Sequence, residues 1–321
     1  MYDAIKNFYK QFEFAPVIAN AKGLKKYSTY VIAGMGGSNL TGGLLKIWKP
    51  ELNIIQHRNY GLPQLSKKTL KQNLLIASSY SGNTEETIDA FHKAVKEKIP
   101  VAVIATAGKL LDLAKKMKKP YVQLPRTGIQ PRAALGFSLM ALLKIMGETN
   151  GLREAANLTH LLKTSEYERA GKILTKKLKG YVPIIYTSER NSPIGYNWKI
   201  KFNEIGKIPA FHNVFPELNH NEMTGFDANM NTKDLSSKFL FLFLKDASDN
   251  PRISKRMNIT ERLMREREFM AEVVILNGKN PLHKIFSSLL IADWTAYYLA
   301  KEYNTDPTEV PMVEEFKKLI K

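Results

Sequence analysis

Twice along the chain, a short apolar run gives way to a turn rich in glycine and hydroxyls, and then to a helix-like stretch. Tyr30-Val31-Ile32-Ala33 ends in Gly34-Met35-Gly36-Gly37-Ser38-Asn39. Leu74-Leu75-Ile76-Ala77 leads into Ser79-Tyr80-Ser81-Gly82-Asn83-Thr84-Glu85-Glu86-Thr87. Each is the place where a strand hands over to a helix. A helix N-terminus presents unpaired N–H groups and the positive end of its dipole, so each turn is physically an anion cradle. Two such cradles in one parallel sheet can hold one phosphate between them. Ser and Thr also act as plain helix caps and Gly as a plain turn former. Either segment alone is therefore open to both readings.

The rest of the first half keeps alternating. Leu52–His57 reads as a strand, and Ile88, Phe91, Ala94 and Val95 form a stripe at helical spacing within Glu85–Lys98. Pro100–Ala105 is a nearly continuous apolar run suited to a buried parallel strand. Leu110–Met117 reads as helix, Tyr121–Leu124 as strand and Ala133–Met146 as a long helix. This is a doubly wound α/β pattern. Gly, Asn and polar residues at Gly147–Leu152 place a domain boundary there, giving domains over 1–150 and 151–321. The second half opens with a helical region, about Leu152 to Leu178, and alternates again. Tyr181–Thr187, Phe239–Leu244 and Val273–Leu276 read as strands, and Tyr196–Phe202, Ile253–Met270 and His283–Tyr303 as helices. It lacks the double glycine motif of the first half.

Composition narrows the function classes. An apolar fraction of 44% over 321 residues supports well-formed cores. The longest greasy stretch, Phe239–Leu244, is bounded by Lys238 and Lys245 and is too short to span a bilayer. The N-terminus lacks the basic region, apolar core and small-residue cleavage site of a secretory leader, so a cytoplasmic protein is expected. Absence of cysteine removes disulfides and thiolate metal sites. A net charge of +18 suggests nucleic-acid binding, yet it is lysine-heavy and dispersed, as in Lys67-Lys68, Lys118-Lys119 and Lys317-Lys318. No zinc finger, basic zipper or RNA-binding aromatic pair accompanies it, so these runs read as solvated helix faces. Such a field also speeds capture of a dianionic sugar phosphate.

The turns Gly34 to Ser38 and Ser79 to Thr84 resemble the two loops of sugar isomerase (SIS) domains. Over most of its length the chain is similar to the archaeal and bacterial phosphoglucose/phosphomannose isomerases built of two SIS domains. The resemblance implies two α/β domains of one topology, the second with a degenerate phosphate site. It implies a phosphate held by the Gly37 N–H, Ser38, Ser79, Ser81 and Thr84.

Four further residues acquire roles only through this resemblance. Arginine, glutamate and lysine are usually exposed, and histidine is often structural, so without it each is an ordinary side chain. Ile129-Gln130-Pro131-Arg132-Ala133-Ala134-Leu135 resembles the family's Pro-Arg-Ala-Ala-Leu motif and implies that Arg132 faces the sugar and stabilises an enediolate. Asn203-Glu204 matches the family element whose carboxylate moves a proton between C1 and C2. Pro216-Glu217-Leu218-Asn219-His220-Asn221 implies that His220 assists ring opening, supplied across a homodimer interface. Asp306–Lys317 resembles the closing segment and carries Lys317 over as a ligand during ring opening.

Two positions depart from the family pattern. Val310 stands where the bifunctional enzymes have threonine, and a methyl cannot donate the corresponding hydrogen bond. Asn39 stands where they often have glycine. The expected reaction is reversible isomerisation of glucose 6-phosphate and fructose 6-phosphate, with mannose 6-phosphate less firmly supported and no cofactor required. An aminosugar-phosphate isomerase or deaminase is the rival enzyme, and a sugar-phosphate sensor the rival of another class. A nucleotide-binding oxidoreductase is weaker, because Gly34-x-Gly36-Gly37-Ser38 is not the full six-position dinucleotide motif.

Overall fold

The apolar runs become strands in the computed structural model, which describes residues 1–227 and 232–320. Internal contacts divide the chain into one unit of Lys6–Leu162 and another of Met1–Ile5 with Lys163–Lys321.

In the Lys6–Leu162 unit the strands are β1 (Ile18–Ala19), β2 (Thr29–Ala33), β3 (Asn53–His57), β4 (Leu74–Ser78), β5 (Val101–Ala105) and β6 (Tyr121–Gln123). They form one sheet in the order β1-β6-β5-β4-β2-β3, parallel except for β1, which runs antiparallel to β6. Every residue of β4 and β5 is buried, as a strand covered by helices on both faces requires. The Glu85–Lys96 helix turns Thr87, Ala90, Phe91 and Ala94 inward. Ala90, Phe91 and Ala94 pack with Val31, Leu75, Val103 and Leu111 in one core. Each fully buried Leu, Val or Phe contributes about 1.5–3 kcal/mol.

The polar break at Gly147–Leu152 lies inside this unit and is not where the chain divides. The Thr149–Ala156 helix folds back so closely that a Cβ on Gly151 would stand 3.1 Å from Leu143, Lys49 and Trp48. Glu148 is held by Lys26 at 2.9 Å and Lys49 at 3.3 Å. The turn chemistry there breaks a helix without releasing the chain from its core.

In the Lys163–Lys321 unit the strands are β7 (Val182–Ser188), β8 (Phe211–Phe215), β9 (Phe239–Lys245) and β10 (Met270–Ile275), all parallel, in the order β10-β9-β7-β8. Leu240 to Leu244 are wholly buried. Tyr186, Phe215, Phe241, Phe243 and Met264 form the core on one face. The Thr164–Leu178 and Pro281–Glu302 helices meet at Gly171, where an added Cβ would come 2.5 Å from the Trp294 Cβ. The Trp294 indole donates to the Thr164 carbonyl at 3.1 Å. Tyr2 lies edge-on to Trp294 at 5.1 Å, which is how the first few residues come to belong to this unit.

Both sheets reverse their strand order once, between β2 and β4 and between β7 and β9. Open α/β sheets bind ligands in the crevice at such switch points, beyond the C-terminal ends of the strands. The two turns singled out in the sequence follow β2 and β4. Several elements went unread: the Tyr2–Lys6 helix, the Phe8–Glu13 turn, β1 and the Lys67–Gln72 helix. Each is too short to display a period.

Candidate active site

At the β2/β4 switch point the backbone comes first. The helix after β2 spans Gly37–Trp48. A Cβ on Gly37 would lie 2.6 Å from the Pro131 carbonyl and 2.8 Å from the Arg132 N, so only glycine admits the Pro131-Arg132 backbone here. Ser38 follows, 6% exposed, and its Oγ accepts the Tyr80 N–H at 2.9 Å. That bond ties the turn after β2 to the turn after β4.

In the second turn the hydroxyls divide their labour. Ser79 is completely buried; its Oγ accepts the Gly82 N–H at 3.1 Å and shares a 2.8 Å hydrogen bond with the Thr84 Oγ1. Its hydroxyl closes the loop from inside. Ser81 is exposed, and its Oγ accepts the Asn83 N–H at 3.2 Å. Gly82 has φ +74° with its Cα against the Ala107 carbonyl, a conformation and a proximity that a side chain would break. Thr84 is the N-cap residue of the Glu85–Lys96 helix. The Tyr80 phenol is pushed upward by burial, an effect partly offset by its hydrogen bond with Thr127, and stays neutral.

Arg132, 3% exposed, sits in the Pro131–Ala133 turn, which precedes the Leu135–Ile145 helix instead of forming its first residues. Gln11 fixes that turn. Its Nε2 donates to the Ala133 carbonyl at 2.6 Å, and its Oε1 accepts the Gly136 and Phe137 N–H groups at 2.9 and 3.3 Å. One buried amide thereby satisfies orphan donors of the helix start. Asn39 does comparable work for the strand ends. Its Nδ2 donates to the carbonyls of Ile32, Gly34 and His57, and its Oδ1 accepts from Gln56 at 2.5 Å. No local sequence signal marks Gln11, because its partner lies 122 positions away.

Gly37, Ser38, Ser79, Ser81, Thr84 and Arg132 thus come together beyond the C-terminal ends of β2 and β4. Two helix N-termini meet there, one of them carrying Glu85 and Glu86 in its first turn. A site of this kind suits a small, strongly charged anion such as a phosphate dianion.

Glu204, His220 and Lys317 stand on three separate elements of the Lys163–Lys321 unit. Glu204 is the last residue of the Ser192–Glu204 helix and is partly buried. Lys207, at φ +57°, donates from Nζ to the Glu204 carbonyl at 2.7 Å and also to the Glu309 carbonyl. One lysine therefore ties the end of that helix to the closing segment. His220 is exposed at the end of the Glu217–His220 turn after β8. That turn is anchored by buried Leu218 and by the neighbouring Glu222. The Glu222 carboxylate accepts from the Tyr186 hydroxyl at 2.6 Å and from the Asn213 amide. Burial first, and then that carboxylate, hold the Tyr186 phenol far above its usual range. Lys317 lies on the Pro311–Leu319 helix, which buries none of its residues, and pairs with Glu314 at 2.6 Å.

The β7/β9 switch point is filled differently. Asp249 accepts from the Ser188 hydroxyl at 2.8 Å and from Asn191 at 3.2 Å, while Asp246 takes Arg190 and Lys284, each at 2.7 Å. Burial pushes the Asp246 carboxyl up, but Lys284, the Ser248 N–H and Asn191 outweigh it and leave it below the usual range. Two built-in carboxylates occupy this crevice with their own cations, an arrangement that disfavours a second phosphate.

Among the described residues no cluster of three or more His, Asp or Glu side chains is arranged to hold a metal ion, and no helix is long and apolar enough to cross a membrane.

Comparison with known proteins agrees with this architecture. Residues 168–320 match the bacterial phospho-glucose isomerase C-terminal SIS domain. The chain is 31% identical over 330 residues to the bifunctional phosphoglucose/phosphomannose isomerase of Aquifex aeolicus, covering 100% of this chain and 98% of that one. It is 35% identical over 299 residues to the enzyme of the same name from Thermoplasma volcanium, with 92% of each chain covered. In fold it is similar to the crystal structure of glucosamine-6-phosphate deaminase from Thermotoga maritima, with a TM-score of 0.62, 16% identity, and 96% of this chain and 95% of that one covered. With one relative matched almost end to end at this identity, the chain belongs to the bifunctional phosphoglucose/phosphomannose isomerase family of SIS-domain phosphosugar isomerases.

Proposed function

We propose that the protein interconverts glucose 6-phosphate and fructose 6-phosphate through a cis-enediolate. The observation that carries this reading is the pair of hydroxyl-bearing turns joined by the Ser38–Tyr80 hydrogen bond and lined by the Pro131-Arg132 backbone. The phosphate dianion is taken by the Gly37 N–H, Ser38, Ser81 and Thr84, with Ser79 holding the loop in shape. Lys317 and His220, the latter supplied by the second copy of a homodimer, assist opening of the pyranose ring. Glu204 then removes the proton from C2 and returns it to C1, while carbonyl character passes between O1 and O2. Arg132 offsets the negative charge of the enediolate. The electron redistribution is internal to the sugar, so this chemistry calls for no redox partner. The proposed setting is the cytoplasm.

Val310 occupies the N-cap position of the Pro311–Leu319 helix, where a threonine would offer a hydroxyl. It favours phosphoglucose isomerisation over the phosphomannose activity that the family name adds. The test is a coupled assay of the purified protein with fructose 6-phosphate, detecting glucose 6-phosphate and mannose 6-phosphate separately, with and without ammonium. Glucose 6-phosphate formed without ammonium supports the proposal. Aminosugar phosphate formed only with ammonium, or no product at all, overturns it.

A further inference from the structure

Glu204 sits at the end of its helix, where no further helical turn holds it in place. Lys207 holds the Glu204 carbonyl from the downstream side, and the register of the helix that carries it is set upstream. One turn earlier on the Ser192–Glu204 helix, Lys201 is only 2% exposed and donates from Nζ to Asp293 Oδ1 at 2.5 Å. Asp293 is 3% exposed on the Pro281–Glu302 helix. The Lys201 carbonyl also accepts the N–H groups of Ile205 and Gly206, at 2.9 and 3.1 Å, so the same residue closes the helix end.

Stability does not account for such a pair. Taking two charges out of water costs several kcal/mol each, and well-packed apolar replacements of a buried ion pair are often as stable or more so. What an ion pair adds is direction. A greasy interface between two helices tolerates small slides and rotations, whereas a charge pair has one register. A second directional bond lies beside it: the Trp198 indole donates to the Ser288 hydroxyl at 3.0 Å. Trp198 and Lys201 are one turn apart on their helix, so these two bonds fix both its rotation and its axial position against the Pro281–Glu302 helix.

We propose that Lys201 and Asp293 are positioning residues for Glu204: their buried ion pair sets the register of the helix whose last residue delivers the carboxylate to the sugar. This inference rests on the reading of Glu204 as the proton-transfer base. The decisive variant is the double replacement Lys201→Met with Asp293→Leu, which removes both charges and leaves neither unpaired. It is expected to keep the parent's unfolding midpoint and its KM for fructose 6-phosphate. Its kcat is expected to fall by ~10²-fold, the scale of an ångström-level misplacement of a catalytic group. Solvent-deuterium entry at C2 should fall in parallel. Lys201→Arg alone, which keeps a charged donor for Asp293, should retain most of the parental kcat.

Glu204→Gln measured alongside separates the two ideas. Normal exchange in Glu204→Gln removes the base assignment, and this inference with it. Lost exchange in Glu204→Gln together with full kcat in a stable double variant overturns the positioning role alone. If the double variant and Lys201→Arg both unfold, the pair is an ordinary requirement of the fold, and the positioning role is again overturned.

Discussion

The Ser38 hydroxyl accepts the Tyr80 N–H at 2.9 Å and so joins the turn after β2 to the turn after β4. A serine hydroxyl has one proton to donate and lone pairs to accept with. Spending an acceptor site on Tyr80 leaves the proton of Ser38 for an anion. The two cradles are in this way one device, and its parts are separable by mutation. Ser81→Ala should weaken sugar-phosphate binding by ~1.5–3 kcal/mol, the worth of a charge-assisted hydrogen bond, without altering unfolding. Ser79→Ala should instead lower stability, because the Thr84 hydroxyl loses its partner and the buried Gly82 N–H keeps only the Ser79 carbonyl. Calorimetric titration and thermal unfolding of both variants check this. Unchanged affinity in Ser81→Ala would take the loop out of the site.

Gln11→Leu removes the amide that serves Ala133, Gly136 and Phe137. Buried groups left without partners cost about 1–3 kcal/mol each. Urea unfolding should show a loss of at least ~2 kcal/mol, accompanied by weaker sugar-phosphate binding as the Arg132 turn loosens. A variant with parental stability would mean that water or a shifted backbone replaces the amide.

Glu204→Gln keeps size and some hydrogen-bonding capacity but removes the base. Turnover should fall by ~10²–10⁴-fold, the usual range for a positioned acid–base group. Binding of a sugar phosphate should change far less, since the cradle is untouched. Near-parental turnover in this variant would end the assignment, even if the protein remains an isomerase.

Supply of His220 from the second copy predicts complementation. A dimer with Glu204→Gln in one chain and His220→Ala in the other retains one intact site. Mixing the two inactive proteins should restore activity in proportion to heterodimer formed, followed by native mass spectrometry. Verified heterodimer without activity would place His220 in its own chain's site.

His212 offers a pH test within the Lys163–Lys321 unit. Burial first, and the Lys199 charge second, lower its imidazole from 6.5 to about 4. Its Nε2 lies 3.0 Å from the Thr187 hydroxyl, and a Cβ on Gly195 would come within 2.4 Å of the ring. The unfolded chain therefore takes up a proton below pH 6.5 that the folded chain refuses until about 4. Stability should fall as pH drops through that window, by up to about 1.4 kcal/mol per pH unit, and this contribution should level off below it. Denaturant unfolding at several pH values would show the slope, and His212→Gln should flatten it. An equal slope in the variant would remove His212 as its source.

The buried strands, the two glycine turns and the alternation of strand and helix were legible because each depends on residues adjacent in the chain. A strand such as β4, covered on both faces, must be nearly all apolar, as Leu74 to Ala77 are. The division of the chain was less legible. Gly147–Leu152 carries the composition of a linker, yet Gly151 packs against Trp48 and the break comes at Leu162.

Sequence by itself determined that two turns rich in glycine and hydroxyls follow strands of one α/β sheet, while the strand order that sets them at its switch point came from the fold. Only the tertiary structure decided which hydroxyls face outward. Ser79 and Ser81 are the same residue type two positions apart, but one is buried within its own loop and the other is exposed. The same holds for Gln11 on Ala133 and for Lys201 on Asp293, pairs separated by 122 and 92 positions. A local pattern records what a backbone segment can adopt. Which buried polar group is satisfied, and by what, depends on residues that meet only when the chain has folded.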